Sequence, residues 1–212
     1  MPTPFVISVS GGSGSCKTTI VNLIKEKVSH LNPSNSSKLL VFNQDHYYRD
    51  LSHLPPNERD EVNFDHPASI DAELMSEHLQ MLIQGQTIKR PTYDFASHTR
   101  TKDHVELKPA ETILIDGIFS LHFESLRAIT NLKLWIEVSD DLRFVRRLKR
   151  DIAERGRSME SVISQYLSTI RPMHKEYIEP SKVYADLVLL WEQTNHQTID
   201  RLVNMLGFGT KM

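Results

Sequence analysis

The chain has 212 residues, a formal net charge of −2 at pH 7 and a single cysteine. This length suits one α/β domain with an inserted segment and is enough to bury a full core. The nearly balanced charge gives no argument for a nucleic-acid or membrane partner, and one cysteine excludes an internal disulfide and a thiolate zinc cluster. No apolar run approaches the roughly 18 to 20 residues that span a bilayer, and the N-terminus lacks the basic region of a signal sequence, so we expect a cytoplasmic protein.

The order of secondary-structure elements predicts the fold class. Continuous apolar runs, which are typical of buried parallel strands, lie at 5–9, 38–43, 112–117, 132–138 and 185–191. Helical periodicity separates these runs, first after the glycine-rich stretch and then over about 71–84, 140–154, 158–175 and 195–206. In the helix at 140–154, an apolar face is shared by Val145, Leu148 and Ile152. Strands alternating with helices predict an α/β fold, a doubly wound parallel sheet with helices on both faces.

One segment, from about 87 to 108, interrupts this alternation with short strand-like stretches around a polar turn. Such a pattern predicts a β-hairpin inserted between a helix and the third strand of the sheet. We find no internal repeat, so residues 1–212 are interpreted as one domain that carries this hairpin.

The stretch GGSGSCKTT at 11–19 follows the first apolar run and precedes a helical pattern. It matches the P-loop pattern G-x-x-x-x-G-K-[ST] except that Cys16 stands where the second glycine is expected. Backbone N–H groups of such a loop surround phosphate oxygens, and the next helix N-terminus favours the same anion. Lys17 would contact the β- and γ-phosphates, and the Thr18 hydroxyl would reach Mg²⁺. The predicted triphosphate contacts are Gly11, Gly12, Ser13, Gly14, Ser15, Cys16, Lys17, Thr18 and Thr19. The alternative, a small-residue turn that binds nothing, rarely carries three glycines, Lys and Thr at these offsets.

Two carboxylates follow predicted strands at the edge of the sheet where ligands of parallel α/β folds bind. Asp116 ends the run TILID, and Asp45 follows the run KLLVFN after one intervening residue. We expect Asp116 to serve a metal ion and Asp45 to accept a proton from an attacking hydroxyl. Either residue alone could instead cap a turn or a helix.

Basic residues cluster between 143 and 157, where Arg143, Arg147 and Arg150 share one helical face. Gly156 offers a hinge between Arg155 and Arg157. The spacing fits an arginine-bearing lid at about 143–160 that closes over a phosphoryl group, and it fits a solvated helix face equally well.

On the predicted hairpin, His98 lies near Tyr93 and Phe95. Aromatic faces beside an imidazole suit a planar heterocyclic ligand. A hairpin held together by its own aromatic side chains is a serious alternative.

Several segments, taken in order and spacing, resemble the uridine–cytidine kinases. These are SVSGGSGSCKTT, FNQDHYY, VNFDHPASID, RPTYDFASHTR, ILIDGI, RRLKRDIAERGR and ISQY. The resemblance covers about residues 5–205, and NFDHP together with YDF-x-SH-x-R is not a general P-loop feature. It implies transfer of a phosphoryl group from ATP or GTP, with Mg²⁺, to the 5′-hydroxyl of uridine or cytidine in pyrimidine salvage. It also implies a homo-oligomer, such as a tetramer.

The resemblance implies roles for individual residues. Asp45 matches the base, and Lys17 matches the P-loop lysine. The nucleoside contacts match Tyr48, Phe64, Asp65, Tyr93, Phe95, His98, Arg147 and Gln165. The lid arginines that grip the triphosphate match Arg150, Arg155 and Arg157. Thr18 and Asp116 fall at the metal site, where the family often has Glu instead of Asp116, and Asn195 falls where the last loop meets adenine.

Two other functions stay open. Cys16 in the P-loop is compatible with a catalytically weakened, nucleotide-binding regulator of the same fold. A P-loop kinase for another small hydroxyl substrate is the second, and Tyr93 and His98 disfavour it.

Overall fold

The computed structural model describes residues 3–59 and 61–208. Within these residues the strands are β1 (Phe5–Ser10), β2 (Leu39–Asn43), β3 (Ile88–Asp94), β4 (Thr99–Leu107), β5 (Thr112–Asp116), β6 (Leu132–Glu137) and β7 (Leu187–Leu190). The α-helices are α1 (Lys17–Leu31), α2 (Pro56–Arg59), α3 (Ala72–Ile83), α4 (Glu124–Ile129), α5 (Asp140–Arg155), α6 (Met159–Gln165), α7 (Arg171–Met173) and α8 (His196–Met205).

The central sheet has five strands in the order β2-β5-β1-β6-β7, and every neighbouring pair is parallel. All five residues of β5 are buried, as expected for a strand covered on both faces. The five apolar runs in the sequence correspond to these five strands, so the predicted doubly wound parallel sheet is confirmed.

Helices cover both faces of this sheet. One buried cluster joins Ile115 of β5 to Leu79 of α3 and Leu126 of α4. The other joins Leu114 of β5 to side chains of α1 and α8, such as Leu202. Because neighbouring residues of one strand point to opposite faces, Leu114 and Ile115 belong to different clusters.

Strands β3 and β4 form a separate antiparallel pair with a register shift between Pro91 and Tyr93. This pair occupies the segment where the sequence predicts a hairpin. Arg100 of β4 anchors it to the rest of the chain, since its Nε donates to the Tyr48 carbonyl oxygen at 3.0 Å and its Nη2 donates to Asp71 Oδ2 at 3.1 Å.

Two features of the helical segments differ from the sequence prediction. The helix expected at 158–175 is a longer composite, in which α6 and α7 alternate with π-helical turns at Tyr166–Ile170 and His174–Ile178 before a 3-10 segment at Glu179–Tyr184. In α5, the buried side chains are Arg143, Arg147 and Asp151. The expected apolar face is largely open, with Val145 42% and Ile152 39% exposed.

None of the helices in the described part of the chain is long and apolar enough to cross a membrane.

Candidate active site

The loop between β1 and α1 packs tightly against the first turn of α5. Gly14 has φ +81°, and a Cβ there would overlap the Arg143 carbonyl oxygen and lie 3.0 Å from its carbon. The backbone at this position therefore requires glycine for both its conformation and its space. Arg143 itself is 5% exposed and forms an ion pair with Asp140.

Cys16, the departure from the P-loop pattern, adopts a left-handed conformation with φ 66° and ψ 27° as the N-cap of α1. A non-glycine residue in this region costs roughly 1–2 kcal/mol. Its side chain is partly buried and packs against the apolar cluster formed with α1 and α8. Cys16 therefore preserves the loop conformation that the missing glycine would adopt, at a cost in strain.

Lys17 and Thr18, the first residues of α1, face the loop and the end of β5. The Lys17 ammonium is buried and donates to the carbonyl oxygens of Gly11 at 2.9 Å and Gly12 at 3.2 Å. Burial lowers the pKa of Lys17, while the carboxylates of Asp116 and Asp45 act in the opposite direction. The Thr18 hydroxyl donates to Asp116 Oδ2 at 2.7 Å.

These contacts bring the two predicted metal ligands together. Thr18 and Asp116 offer a hydroxyl and a carboxylate oxygen, which are the hard donors that Mg²⁺ prefers. Their direct contact at 2.7 Å, beside the loop that would hold the phosphates, fits a metal ion bound by few protein groups and by phosphate oxygens. The donor chemistry of the site thus fits Mg²⁺.

Asp45 lies just beyond β2, in the 3-10 turn Gln44–Tyr47. Its N–H donates to Asn43 Oδ1 at 2.7 Å, which fixes the turn. The side chain is accessible to solvent, yet the surrounding protein and then the Asp116 carboxylate raise its pKa, whereas Lys17 lowers it. Asp45, Asp116 and Lys17 therefore lie near enough to share one electrostatic environment.

Aromatic side chains from three segments meet beside this turn. Tyr48 lies 5.4 Å from Tyr93 and 6.3 Å from Phe95 between ring centroids, and Phe64 stacks on His98 at 4.4 Å. The Tyr93 hydroxyl is buried without a hydrogen-bond partner among the described residues, and burial raises the pKa of Tyr93 to about 12. A buried hydroxyl of this kind suits a polar ligand edge.

Arg147 connects the aromatic side of the site with the P-loop. Its Nη1 donates to Ser13 Oγ at 2.8 Å and lies 3.8 Å from Asp65 Oδ1, while its Nη2 donates to Gln165 Oε1 at 3.3 Å. Burial raises the pKa of Asp65, and the Arg147 guanidinium opposes that rise. The buried Asp65 and Arg147 thus form one polar group with the partly exposed Gln165 between the two halves of the cleft.

The remaining arginines of the predicted lid surround the C-terminal end of α5. Arg150 contacts Asp151 at 2.8 Å, and Arg157 donates to Gln165 Oε1. The positive charges of Arg155 and Arg150 lower the pKa of Asp45, which indicates that both act across the cleft.

Two predicted nucleotide contacts lie apart from this group. Thr19 is exposed on α1, and the exposed Asn195 uses its side chain to cap α8 by accepting from the Thr198 N–H at 3.2 Å. The sequence placed Arg143 on the helical face of the candidate lid but assigned it no contact, whereas the structure packs it against Gly12 and Gly14. The shared helical face of Arg143 and Arg147 was the signal that could have identified it.

The model of the phosphoribulokinase / uridine kinase family matches residues 6–197 of the chain. The chain belongs to this family. Over 203 residues it is 43% identical to a uridine kinase of Bacillus pumilus, covering 96% of this chain and 94% of the relative. A uridine kinase of Oceanobacillus iheyensis is 42% identical with the same coverage. Family membership makes the chain a phosphotransferase.

A solved structure of a kinase from Silicibacter sp. TM1040 has the same fold, with a TM-score of 0.74 and 20% identity. The alignment covers 89% of this chain and 91% of that protein. This similarity supports the parallel sheet with helices on both faces.

Proposed function

We propose that the protein transfers the γ-phosphoryl group of ATP to the 5′-hydroxyl of uridine and cytidine, yielding the nucleoside monophosphates of pyrimidine salvage. The observation that carries the proposal is the position of Asp45 between two different half-sites. The buried ammonium of Lys17 acts on the Asp45 carboxylate from the P-loop side, and Asp45 acts in turn on Tyr48, which lies among the aromatic rings. A phosphate-binding loop and an aromatic pocket on either side of one carboxylate suit a two-substrate kinase.

On the donor side, the loop N–H groups and Lys17 bind the phosphates. Lys17 is held by the Gly11 and Gly12 carbonyls, and a phosphate oxygen would compete with these acceptors for its protons. Thr18 and Asp116 would hold Mg²⁺, which when bound supplies positive charge to the phosphate oxygens.

On the acceptor side, Asp45 takes the proton of the 5′-hydroxyl as its oxygen bonds to the γ-phosphorus. The bond to the β,γ-bridging oxygen breaks, and ADP leaves with the electron pair. Because the pKa of Asp45 is raised, its conjugate acid forms more readily than that of an ordinary aspartate. Arg150 and Arg155 offset the charge that spreads over the transferred group.

Asp65 and Arg147 would bind the ribose hydroxyls. Asp65 is 9% exposed, so a substrate that lacks the 2′-hydroxyl leaves a buried carboxylate oxygen unpaired. We expect kcat/KM for 2′-deoxyuridine to be about 10- to 100-fold below that for uridine.

The test is an assay of the purified protein with ATP·Mg²⁺ and a panel of nucleosides, alongside Cys16→Gly and the inactive control Asp45→Asn. Formation of UMP and CMP by the unaltered protein, but not by Asp45→Asn, supports the proposal. Absence of turnover by both the unaltered protein and Cys16→Gly overturns it.

Because Cys16 has a strained backbone conformation, the same assay also tests whether the protein is a nucleotide-binding regulator instead of an active kinase. Activity found only in Cys16→Gly would favour a nucleotide-binding regulator. Turnover of a different hydroxyl substrate in place of nucleosides would favour a related kinase. Light scattering on the same sample tests the expected homo-oligomer.

A further inference from the structure

Asp151, on the inward face of α5, is a fully buried carboxylate surrounded by arginines. Its Oδ1 lies 2.8 Å from Arg150 Nη2 and accepts from Arg150 Nε at 2.9 Å. The same oxygen lies 3.6 Å from Arg155 Nη1, and Oδ2 lies 3.3 Å from Arg147 Nε. One carboxylate thus contacts three of the arginines that face the cleft.

The backbone of Asp151 also fixes the point where α5 ends. Its carbonyl oxygen accepts the N–H of Gly156, which has φ 63°, and the N–H of Arg157 at 3.2 Å. The side chain and the carbonyl of this residue therefore both act on the segment 155–157 that follows the helix. Arg157 in turn contacts Gln165 beside the nucleoside pocket.

The arginines repel one another at this distance. Burial lowers the pKa of Arg147, the carboxylates of Asp65 and Asp151 raise it, and the charges of Arg150 and Arg155 lower it further. Without a counter-charge, the guanidinium groups would separate or turn towards solvent, because Arg150 and Arg155 are only partly covered, at 34% and 48% side-chain exposure. A buried negative charge holds them close to the cleft.

A purely structural role explains the arrangement less well. Buried ion pairs seldom add net stability, since the loss of hydration offsets the attraction. Asp151 Oδ2 accepts no hydrogen bond among the described residues, so the carboxylate is not used fully for stability. It contacts Arg150, whose charge acts on both Asp45 and Lys17, and Arg155, whose charge acts on Asp45.

We propose that Asp151 is a positioning residue that holds Arg147, Arg150 and Arg155 in their working orientation before the triphosphate binds. This inference rests on the proposed kinase function. The carboxylate holds Arg150 and Arg155 for the phosphate oxygens, and it holds Arg147 beside Asp65 for the ribose hydroxyls. Preorganised arginines need no rearrangement as charge develops on the transferred group.

The test is a double-mutant cycle with Asp151→Asn and Arg150→Gln. Asparagine keeps the shape but removes the charge and turns an N–H donor towards a guanidinium. We expect about a 10- to 100-fold fall in kcat and weaker ATP·Mg²⁺ binding by calorimetry. The part of the effect that Asp151 exerts through Arg150 is absent once Arg150 is replaced, so the fall in kcat of the double variant should be smaller than the product of the two single effects. Asp151→Glu, which restores the charge, should recover part of kcat.

Asp186→Asn is the matched control for lost stability. Asp186 accepts the backbone N–H of Lys133 at 2.8 Å, among residues assigned no role in the cleft. The Asp186→Asn variant should have a lower melting temperature and an unchanged kcat. Independent effects of Asp151→Asn and Arg150→Gln on kcat would overturn the proposal. The proposal would also be overturned if Asp151→Asn failed to fold while Arg150→Gln had an unchanged kcat.

The calorimetric arm separates this inference from the proposed function. Binding of ATP·Mg²⁺ needs no nucleoside acceptor. If the protein binds the nucleotide but phosphorylates no pyrimidine nucleoside, the proposed function fails. The double-mutant cycle, measured on the affinity for ATP·Mg²⁺, then still decides the role of Asp151. Equal affinity in the unaltered protein and Asp151→Asn would overturn that role.

Discussion

Alanine substitutions at Gly14 and Gly85 separate backbone strain from steric overlap in the P-loop. The two glycines have nearly identical φ angles, +81° and +82°. A Cβ at Gly85 would meet nothing within 4 Å, whereas a Cβ at Gly14 would overlap the Arg143 carbonyl oxygen and lie 3.1 Å from its Cα. The pair is therefore matched for conformation and differs in surroundings.

The magnitudes follow from these two terms. A non-glycine residue at positive φ costs roughly 1–2 kcal/mol, of which about 0.4–1 kcal/mol is recovered because alanine restricts the unfolded chain. Gly85→Ala should therefore destabilise by about 1 kcal/mol. In Gly14→Ala the new methyl group also overlaps the backbone of Arg143, which cannot change rotamer as a side chain can. This overpacking adds a further cost of about 1–3 kcal/mol.

Thermal unfolding of both variants is the assay. At about 2–4 °C per kcal/mol for a chain of this size, Gly85→Ala should lower the melting temperature by about 3 °C and Gly14→Ala by about 6–12 °C. Gly14→Ala should also lose kinase activity, because relief of the overlap moves the start of α5 and with it Arg147. Equal melting temperatures would refute the close contact between the P-loop and α5.

Three further predictions concern single residues of the cleft. Asp45→Asn should abolish phosphoryl transfer. Because the Asp45 pKa is raised above 3.8, the stability it contributes is present below that pH and lost as pH rises through the higher pKa. Asp45→Asn should accordingly melt higher than the unaltered protein at pH 7, and a lower melting temperature would contradict the shift. Asp116→Glu should keep most of the activity, whereas Asp116→Ala should lose it. The measurement is the rate as a function of Mg²⁺ concentration, including the concentration for half-maximal rate. Equal losses of activity in the two variants would exclude a metal role. Cys16→Gly should change the KM for ATP less than about threefold, because the Cys16 side chain packs towards the core. A tenfold fall in this KM would show that the thiol obstructs phosphate binding.

The central sheet could be predicted from the sequence because its inner strands, such as β1 and β5, are covered on both faces. Runs such as TILID carry no polar interruption before the terminal Asp116, and that continuity is the pattern of a parallel strand. The short helix α4 escaped prediction, since six residues with Leu126 as the buried one give no helical period. The helix at 158–175 was predicted, but its composite character was not, for another reason. Its π-turns at Tyr166–Ile170 and His174–Ile178 change the number of residues per turn.

The candidate site was predictable where chemistry depends on residue type and position in a motif. Lys17, Thr18 and Asp116 follow from the loop pattern and the end of a strand, and the structure joins them. From residue spacing alone, the direction of the helical face that carries Arg143 and Arg147 stayed open, because charged helix faces usually meet solvent. Their burial depends on tertiary partners, such as Ser13 of the P-loop, that no local pattern reveals.

The reversed polarity of α5 should determine which substitutions the helix tolerates. In a saturation library selected for activity, Val145 and Ile152 should accept polar residues freely, since much of each side chain already meets water. Arg143, Arg147 and Asp151 should accept almost none, because each is buried. A hydropathy-based redesign of this helix would alter the wrong face. Diversity among active sequences should be high at Val145 and Ile152, while the three buried charged residues stay constant.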